Sequence, residues 1–334
     1  MVGRIVGLVV CALVLYGVAP AVLNVIDAWP KVIDIRPYWF AALVAAQVAS
    51  WAGFWLIQRL SVDAHSWWPI VTSQLASGAL ARVVPGGGAA AAALQYRMLV
   101  QAGISPSLAS VGIGAATIVI LATLCALPVL AVPAIVLGLA VPTRLAQVAL
   151  GCAVVFVALL ALGATLMASD GAVHWVARAW QRVGGRLRPK RRPRADLPAV
   201  LLDQRDLVRA AFGARWWEAV AGAGGRWLFD WLTLMAALAA VGQHPRPSLV
   251  LLAFCGAQVL AQIPITPGGL GVVEAGLTGF LVLIGVPASA AAVAVLAYRL
   301  VSYWLALPAG GVGWLVHRRR VRAGGVSVPR ETAV

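Results

Sequence analysis

Charge is scarce in this sequence. Charged residues are 11% of the 334, where a soluble domain usually carries about 25%. Hydrophobic residues reach 62% and mean hydropathy is +0.91. One water-soluble core cannot hide that much apolar surface, so a soluble domain is excluded. Disorder is excluded as well, because it needs low hydrophobicity and high charge. Cysteine is rare. Cys11, Cys125, Cys152 and Cys255 all fall in apolar stretches, without a CxxC or a neighbouring histidine. They read as small buried hydrophobes, not as a disulfide framework or a metal site. None of His65, His174, His244 and His317 lies in the middle of an apolar run. No HExxH and no GxxxxGK[ST] loop occurs, and no Ser/His or paired-carboxylate site can be placed by spacing. An enzyme is therefore not expected, nor a cofactor or metal. Weakly alternating strands, the mark of a membrane barrel, are missing too. What is present is a series of long unbroken apolar runs. Only helices or closed barrels satisfy their backbone in lipid, so the expectation is an all-α polytopic membrane protein.

The net charge of +15 comes from 26 basic and 11 acidic residues. Its distribution argues against nucleic acid. Eight basic residues lie between Arg178 and Arg194 with no acid among them, and Trp180 is the only aromatic residue in that run. A second cluster runs from His317 to Arg322 after the last apolar run. Both sit just outside hydrophobic segments, where the positive-inside rule places cytoplasmic charge. Attraction to anionic lipid headgroups fits the same placement, as does a cytoplasmic partner at the basic loop. Arginine outnumbers lysine 24 to 2, a compositional mark of a GC-rich bacterial genome, which would place the chain in the plasma membrane.

The first run, Ile5 to Ile26, is 22 residues, about 33 Å as a helix, enough for a hydrocarbon core of about 30 Å. It is too long for a signal peptide, and no good cleavage site follows. A loop follows in which Asp27, Lys31, Asp34 and Arg36 cancel. Further spans are expected at Trp39–Leu60, Ser107–Leu127, Leu145–Met167, Trp216–Val241 and Ala290–Leu315. Two stretches behave differently. Trp68–Val84 and Ala89–Val100 are short apolar arms around Pro85-Gly86-Gly87-Gly88. Ser248–Ile263 and Leu270–Ile284 are short arms around Pro264-Ile265-Thr266-Pro267-Gly268-Gly269. Proline and consecutive glycines end a helix sharply, so each pair reads as a re-entrant or broken helical hairpin. Such backbone is tolerated at membrane depth only where protein or water surrounds it.

Parity ties the segments together. With Arg4 inside, six spans and two re-entrant hairpins put both basic clusters on the cytoplasmic side. The expected organisation is an N-terminal membrane half (1–168, first hairpin about 68–100) and a basic cytoplasmic loop (169–215). A C-terminal membrane half (216–316, second hairpin about 248–285) and a basic cytoplasmic tail (317–334) follow. The two interrupted segments share a pattern of apolar arm, Pro-Gly-Gly and second arm, and by parity they open to opposite sides. Paired interrupted segments of this kind point to a midplane site in transporters, although an Ala- and Gly-rich composition can produce the pattern by chance.

At PITPGGLGVVEAGL, through Pro267, Gly268, Gly269, Gly271 and Glu274, the sequence resembles the flippase-like transmembrane domain of the lysylphosphatidylglycerol synthase membrane-region family. AVLAYRLVSYWLALPAGG places Arg299 and Trp304 where that family has an arginine-containing last span. PGGG at Pro85, with Arg97, looks like the family's first Pro-Gly element. The resemblance covers nearly the whole chain. One departure is that Ala89 to Ala93 stand where an acidic residue often follows the first glycines. The full synthases add a soluble aminoacyl-transferring domain, which nothing after Arg322 could supply. What the resemblance implies is lipid translocation, without the synthase activity.

Four ionisable residues lie deep in apolar segments: Arg226, Asp230, Glu274 and Arg299. Each costs about 2.5–3.5 kcal/mol at a helix centre, on the order of 10 kcal/mol for four standing alone. They are therefore expected to pair or to face a wet cavity. Arg226 and Asp230 are four apart and share a helical face. They read either as a structural pair or as a phosphate contact and its orienting carboxylate. Glu274 follows the glycine break, where a carboxylate suits a helix N-terminus. Arg299 has no charged neighbour at helical spacing, so its partner is Glu274 or a ligand. Arginine offers a phosphate a bidentate fork, and helix N-termini after glycine breaks offer backbone N–H groups. Gln74, Gln95, Gln258 and Gln262 either line a polar path or bond between helices. Arg97 either joins the site or snorkels to the interface. The expected function is translocation of an anionic phospholipid or polyprenyl-phosphate-linked lipid. The alternative is a non-transporting scaffold for a cytoplasmic lipid- or glycan-modifying enzyme.

Overall fold

The computed structural model describes residues 36–84, 87–127, 216–262 and 266–323, with scattered positions between 147 and 215. The expected span Ile5–Ile26, the break residues Pro85, Gly86, Pro264 and Ile265, and the tail beyond Ala323 lie outside the described residues. So do most of Leu145–Met167 and most of the basic loop 169–215. The helices are α1 (Pro37–Ser61), α2 (Trp67–Val83), α3 (Gly88–Gln101), α4 (Pro106–Ala126), α5 (Trp216–Ala240) and α6 (Pro247–Ala261). After a 3-10 turn at Pro267–Gly269 come α7 (Val272–Leu283), α8 (Ala288–Arg299), a π turn (Leu300–Trp304) and α9 (Ala306–Ala323). Among the described residues every regular element is helical.

Local chemistry sets the boundaries. Proline opens α1, α4 and α6, where its missing N–H would be unbonded anyway. Helices α3, α5 and α7 end alike. In each, a left-handed glycine follows the last turn, at Gly103, Gly242 and Gly285. The next residue's N–H then reaches back to Leu99, Leu238 or Leu281, which satisfies carbonyls the helix leaves open. A proline stands soon after each of these glycines and opens or caps the following helix. These closures make α3–α4, α5–α6 and α7–α8 tightly turned pairs.

The bundle exposes large apolar side chains and buries polar ones among its apolar core. Val44, Val48, Ile118, Leu121, Leu232, Leu283 and Leu315 are exposed, whereas Gln47, Ser50, Gln58, Ser73, Gln74 and Ser77 are buried. Lipid tails are as apolar as leucine, so close packing and internal hydrogen bonds hold such helices together. The largest interface joins α1 and α5. It closes through Gly53, where an added Cβ would lie 2.6 Å from the Gly222 carbonyl oxygen and 2.7 Å from Arg226 N. The second joins α2 and α9, through Gly310 and Gly313 against Leu75 and Thr72. The principal core lies among α5, α6, α7 and α8, around Leu234, Leu238, Phe254, Leu277, Leu281 and Ala294.

Among the described residues, three helical runs are long and apolar enough to cross a membrane: α1, α4 and Ala288–Ala323; α6 and α7 are shorter apolar helices. At 25 residues α5 has the length, but its interior arginine and aspartate lower its hydropathy. The last run is longer than the expected Ala290–Leu315. Its 36 residues extend about 54 Å, with the π turn in their first half. Pro308 accounts for the irregularity, since it has no N–H to offer the Trp304 carbonyl one turn earlier.

Candidate functional site

The two interrupted segments meet. Helix α2 packs on α3, α6 packs on α7, and the 3-10 turn between α6 and α7 lies against α2. At the contact, a Cβ on Gly268 would be 3.1 Å from both Arg82 Cα and the Arg82 carbonyl oxygen, and 2.5 Å from the Tyr303 ring. Gly268, Gly269 and Gly271 have φ of +56°, +71° and +81°, values a side chain resists. Glycine thus lets the second break lie against the backbone of the first hairpin. Beside this contact is a cavity of about 710 Å³, into which α1, α2, α5, α6 and the α8–π segment also face.

Two ion pairs frame it. Arg226 Nη1 donates to Asp230 Oδ2 at 3.2 Å, one helical turn away, and to Ser50 Oγ at 2.5 Å. The Ser50 hydroxyl donates to the Arg226 carbonyl at 2.8 Å. Asp230, 3% exposed, also accepts from the Tyr298 hydroxyl (3.1 Å) and from Gln258 Nε2 (3.4 Å). The carboxylate therefore joins α5, α6 and α8. In the second pair, Arg299 Nε donates to Glu274 Oε1 at 2.6 Å. The other Glu274 oxygen accepts the Gly271 N–H at 2.7 Å and caps α7. Arg299 also donates to the Gly268 carbonyl at 3.2 Å, and its guanidinium lies 4.7 Å from the Tyr303 ring centroid. Glu274 thus both caps a helix and receives an arginine from another.

Of the residues expected at a site, Arg226, Asp230, Arg299, Gly87, Thr266, Gly268 and Gly269 line the cavity, as do Gln74, Gln258 and Gln262. Glu274 stands behind Arg299 and Gly271 serves as its N-cap. Arg97 lies on the exposed side of α3, away from the cavity lining, and Gln95 is buried elsewhere. Pro85 and Gly86 lie outside the described residues, and Pro267 belongs to the 3-10 turn.

The sequence reading missed Arg82. It lines the cavity near the end of α2, with Nη1 donating to the Gly78 carbonyl (2.7 Å) and Nη2 to the Ser302 carbonyl (3.1 Å). The Tyr303 hydroxyl donates to the Arg82 carbonyl at 2.9 Å. Among the described residues no carboxylate pairs with it. The signal was available, for Arg82 is an arginine in a short apolar arm just before a Pro-Gly break. Tyr298, Ser50 and Ser302 carry no such signal, being ordinary helix residues in sequence. Among the described residues, no group of three or more His, Cys, Asp or Glu could hold a metal ion.

One end of the bundle collects basic and aromatic side chains. Arg59 lies over Trp67 (4.4 Å), Arg318 over Trp314 (5.3 Å) and Arg320 over Trp68 (5.6 Å). Arg215 pairs with Glu218 at 2.8 Å at the start of α5. The Arg215 guanidinium is held further toward its charged form by the hydrogen bonds it donates to Glu218 and by Asp63 of the α1–α2 loop.

The family model described as "Lysylphosphatidylglycerol synthase TM region" matches residues 4–310. A "UPF0104 membrane protein" of Methanothermobacter thermautotrophicus is 30% identical over 86 residues, which are 26% of this chain and 26% of that protein. The matched stretch thus spans about a quarter of that relative's length. No solved structure matches.

Proposed function

We infer the function from one premise: the chain belongs to the lysylphosphatidylglycerol synthase transmembrane-region family. We propose that it translocates a lipid with an anionic headgroup, an anionic phospholipid or a polyprenyl-phosphate-linked lipid, and does not carry out the synthase reaction. The observation that carries this reading is the cavity where the two interrupted segments meet. Among the described residues three arginines line it, and the carboxylates at hand are Asp230 and Glu274. That leaves one positive charge in excess, inside a bundle whose outer surface is apolar. Intramembrane charges of this kind mark substrate paths. A headgroup would enter the polar cavity while its tails stay against the apolar exterior.

In the same reading the interrupted segments are re-entrant hairpins of an inverted repeat, set among six spans of the plasma membrane, with both termini cytoplasmic. The gathering of Arg59, Arg215, Arg318 and Arg320 with tryptophans at one end supports that orientation, since basic residues favour the cytoplasmic interface and tryptophan favours either one.

The test is reconstitution of the full chain in liposomes, with fluorescent phospholipid and polyprenyl-phosphate analogues followed by dithionite quenching. Wild type should move at least one analogue, and Glu274→Gln and Arg299→Ala, at matched insertion, should lose that movement. Wild type indistinguishable from empty liposomes for both lipid classes, with and without a proton gradient, would sink the proposal in favour of a scaffold.

A further inference from the structure

The cavity holds three arginines, but they are not equivalent. Arg226 and Arg299 are each closed by a carboxylate at 3.2 Å and 2.6 Å. Their charge is spent within the protein, and a ligand phosphate would have to compete with that partner. Arg82 is held differently. Its two bonds go to the main-chain carbonyls of Gly78 and Ser302, which fix the planar group without neutralising it. The remaining N–H donors of the fork are left for a ligand.

A second observation falls at the same place. Ser302 lines the cavity and is 8% exposed, and its Oγ is buried without a hydrogen-bond partner among the described residues. It is the residue whose carbonyl receives Arg82. A buried hydroxyl without a partner is costly and unusual in a folded protein. Gln47 of α1 repeats the pattern: it lines the cavity, is 2% exposed, and its Oε1 has no partner among the described residues. Helix α1 packs against the π turn that carries Ser302. A fixed, un-neutralised guanidinium beside an unused hydroxyl donor is a phosphate-binding arrangement. An unused amide oxygen in the lining of the same cavity suits a hydroxyl on the group the phosphate carries.

We propose that Arg82 and Ser302 form the phosphate subsite of the cavity, with Gln47 placed to accept from a hydroxylated headgroup, while the ion pairs of Arg226 and Arg299 are scaffolding around it. This rests on the lipid-translocation reading for its ligand, but not for its geometry. The Pro-Gly-Gly break then has a defined task. Gly268 packs on the Arg82 backbone, and the Tyr303 hydroxyl bonds the Arg82 carbonyl. The second hairpin and the π turn of the last helical run together thereby fix a cation that belongs to the first hairpin.

Binding tests this directly, with the purified full chain in dodecyl maltoside and isothermal titration. The probes are dihexanoyl-phosphatidylglycerol, dihexanoylglycerol and inorganic phosphate. Wild type should prefer the phosphatidylglycerol analogue to the phosphate-free diglyceride. Arg82→Gln should weaken the phospholipid by about 10- to 100-fold, the range of one charged hydrogen bond. It should leave the diglyceride unchanged, which also reports an intact fold. Arg82→Lys should recover only part of the loss, because the ammonium keeps the charge and not the fork, and Ser302→Ala should cost about 5-fold. Phospholipid affinity in Arg82→Gln equal to wild type would overturn the subsite, as would equal wild-type affinity for the diglyceride and the phospholipid. Arg82-dependent binding of inorganic phosphate without the lipid would keep the subsite and overturn its lipid ligand. Arg82-dependent lipid binding in a protein that moves no lipid in liposomes would sink the transport reading and leave the subsite standing.

Discussion

Glu274 holds two structures together, and removing its charge should separate them measurably. One oxygen caps α7 through the Gly271 N–H at 2.7 Å, and the other takes Arg299 Nε at 2.6 Å. Glu274→Gln keeps an acceptor for the cap and loses the ion pair. A charged hydrogen bond contributes about 1.5–3 kcal/mol. The side chains are 17% and 12% exposed, so solvent screening discounts this only modestly, and about 2 kcal/mol is expected. Glu274→Ala removes the cap as well, worth about 0.5–2 kcal/mol more, for a total of about 2.5–4 kcal/mol. Arg299→Gln in the Glu274→Gln background should cost far less than in wild type, because the arginine has by then lost its carboxylate. The double-mutant cycle should give a coupling of about 1.5–3 kcal/mol. Reversible unfolding by SDS titration in mixed micelles reads the four proteins of the cycle and Glu274→Ala. A coupling under about 0.5 kcal/mol, or equal losses for Gln and Ala at 274, would refute the reasoning, for then the contact would contribute no more than an exposed surface pair.

Three further outcomes follow from the geometry. Gly53→Ala should cost about 1–3 kcal/mol in the same titration, because the methyl meets main-chain atoms of Gly222 and Arg226 that cannot swing away. Unchanged stability would mean that α1 and α5 are not in close contact. Tyr298→Phe should cost about 1–3 kcal/mol by leaving buried Asp230 short of a donor, and a neutral result would show the carboxylate satisfied by other partners. Arg97→Gln should leave lipid movement in liposomes at the wild-type rate, since Arg97 is exposed outside the cavity. A loss of movement would put α3's outer side on the path.

How much was legible in the sequence depended on the kind of signal. Helix boundaries were readable because proline and glycine act locally. Pro37, Pro106 and Pro247 open helices within a few residues of the expected starts. Both interruptions appear as helix–break–helix, the first between Val83 and Gly88 and the second at Pro267–Gly269. Arg226–Asp230 followed from i,i+4 spacing, and Glu274–Arg299 from the cost of leaving either charge alone in lipid. What stayed hidden was non-local or uncharged. Nothing in the spacing of Ser50, Tyr298 or Ser302 says that they face a cavity. Arg82 was overlooked because its arm reads as apolar. The extra length of the last helical run was missed because its end is charged, and hydropathy stops where the apolar residues stop, whereas helix geometry continues to Ala323.

The placement of the two ion pairs also bears on the membrane potential. Moving one elementary charge across 100 mV involves about 2.3 kcal/mol of electrical work. Arg226 and Asp230 sit on one helix, so any displacement of α5 carries a neutral unit and does almost no work against the field. Glu274 and Arg299 sit on α7 and α8, so they are electrically silent only while those helices move together. Parting the helices would set free two opposite charges that the field pulls in opposite directions. Arg82 on α2 has no carboxylate to cancel it among the described residues. A transport cycle that moved the first hairpin would therefore be voltage-sensitive when the cavity is empty, and close to electroneutral once a singly charged headgroup sits on Arg82.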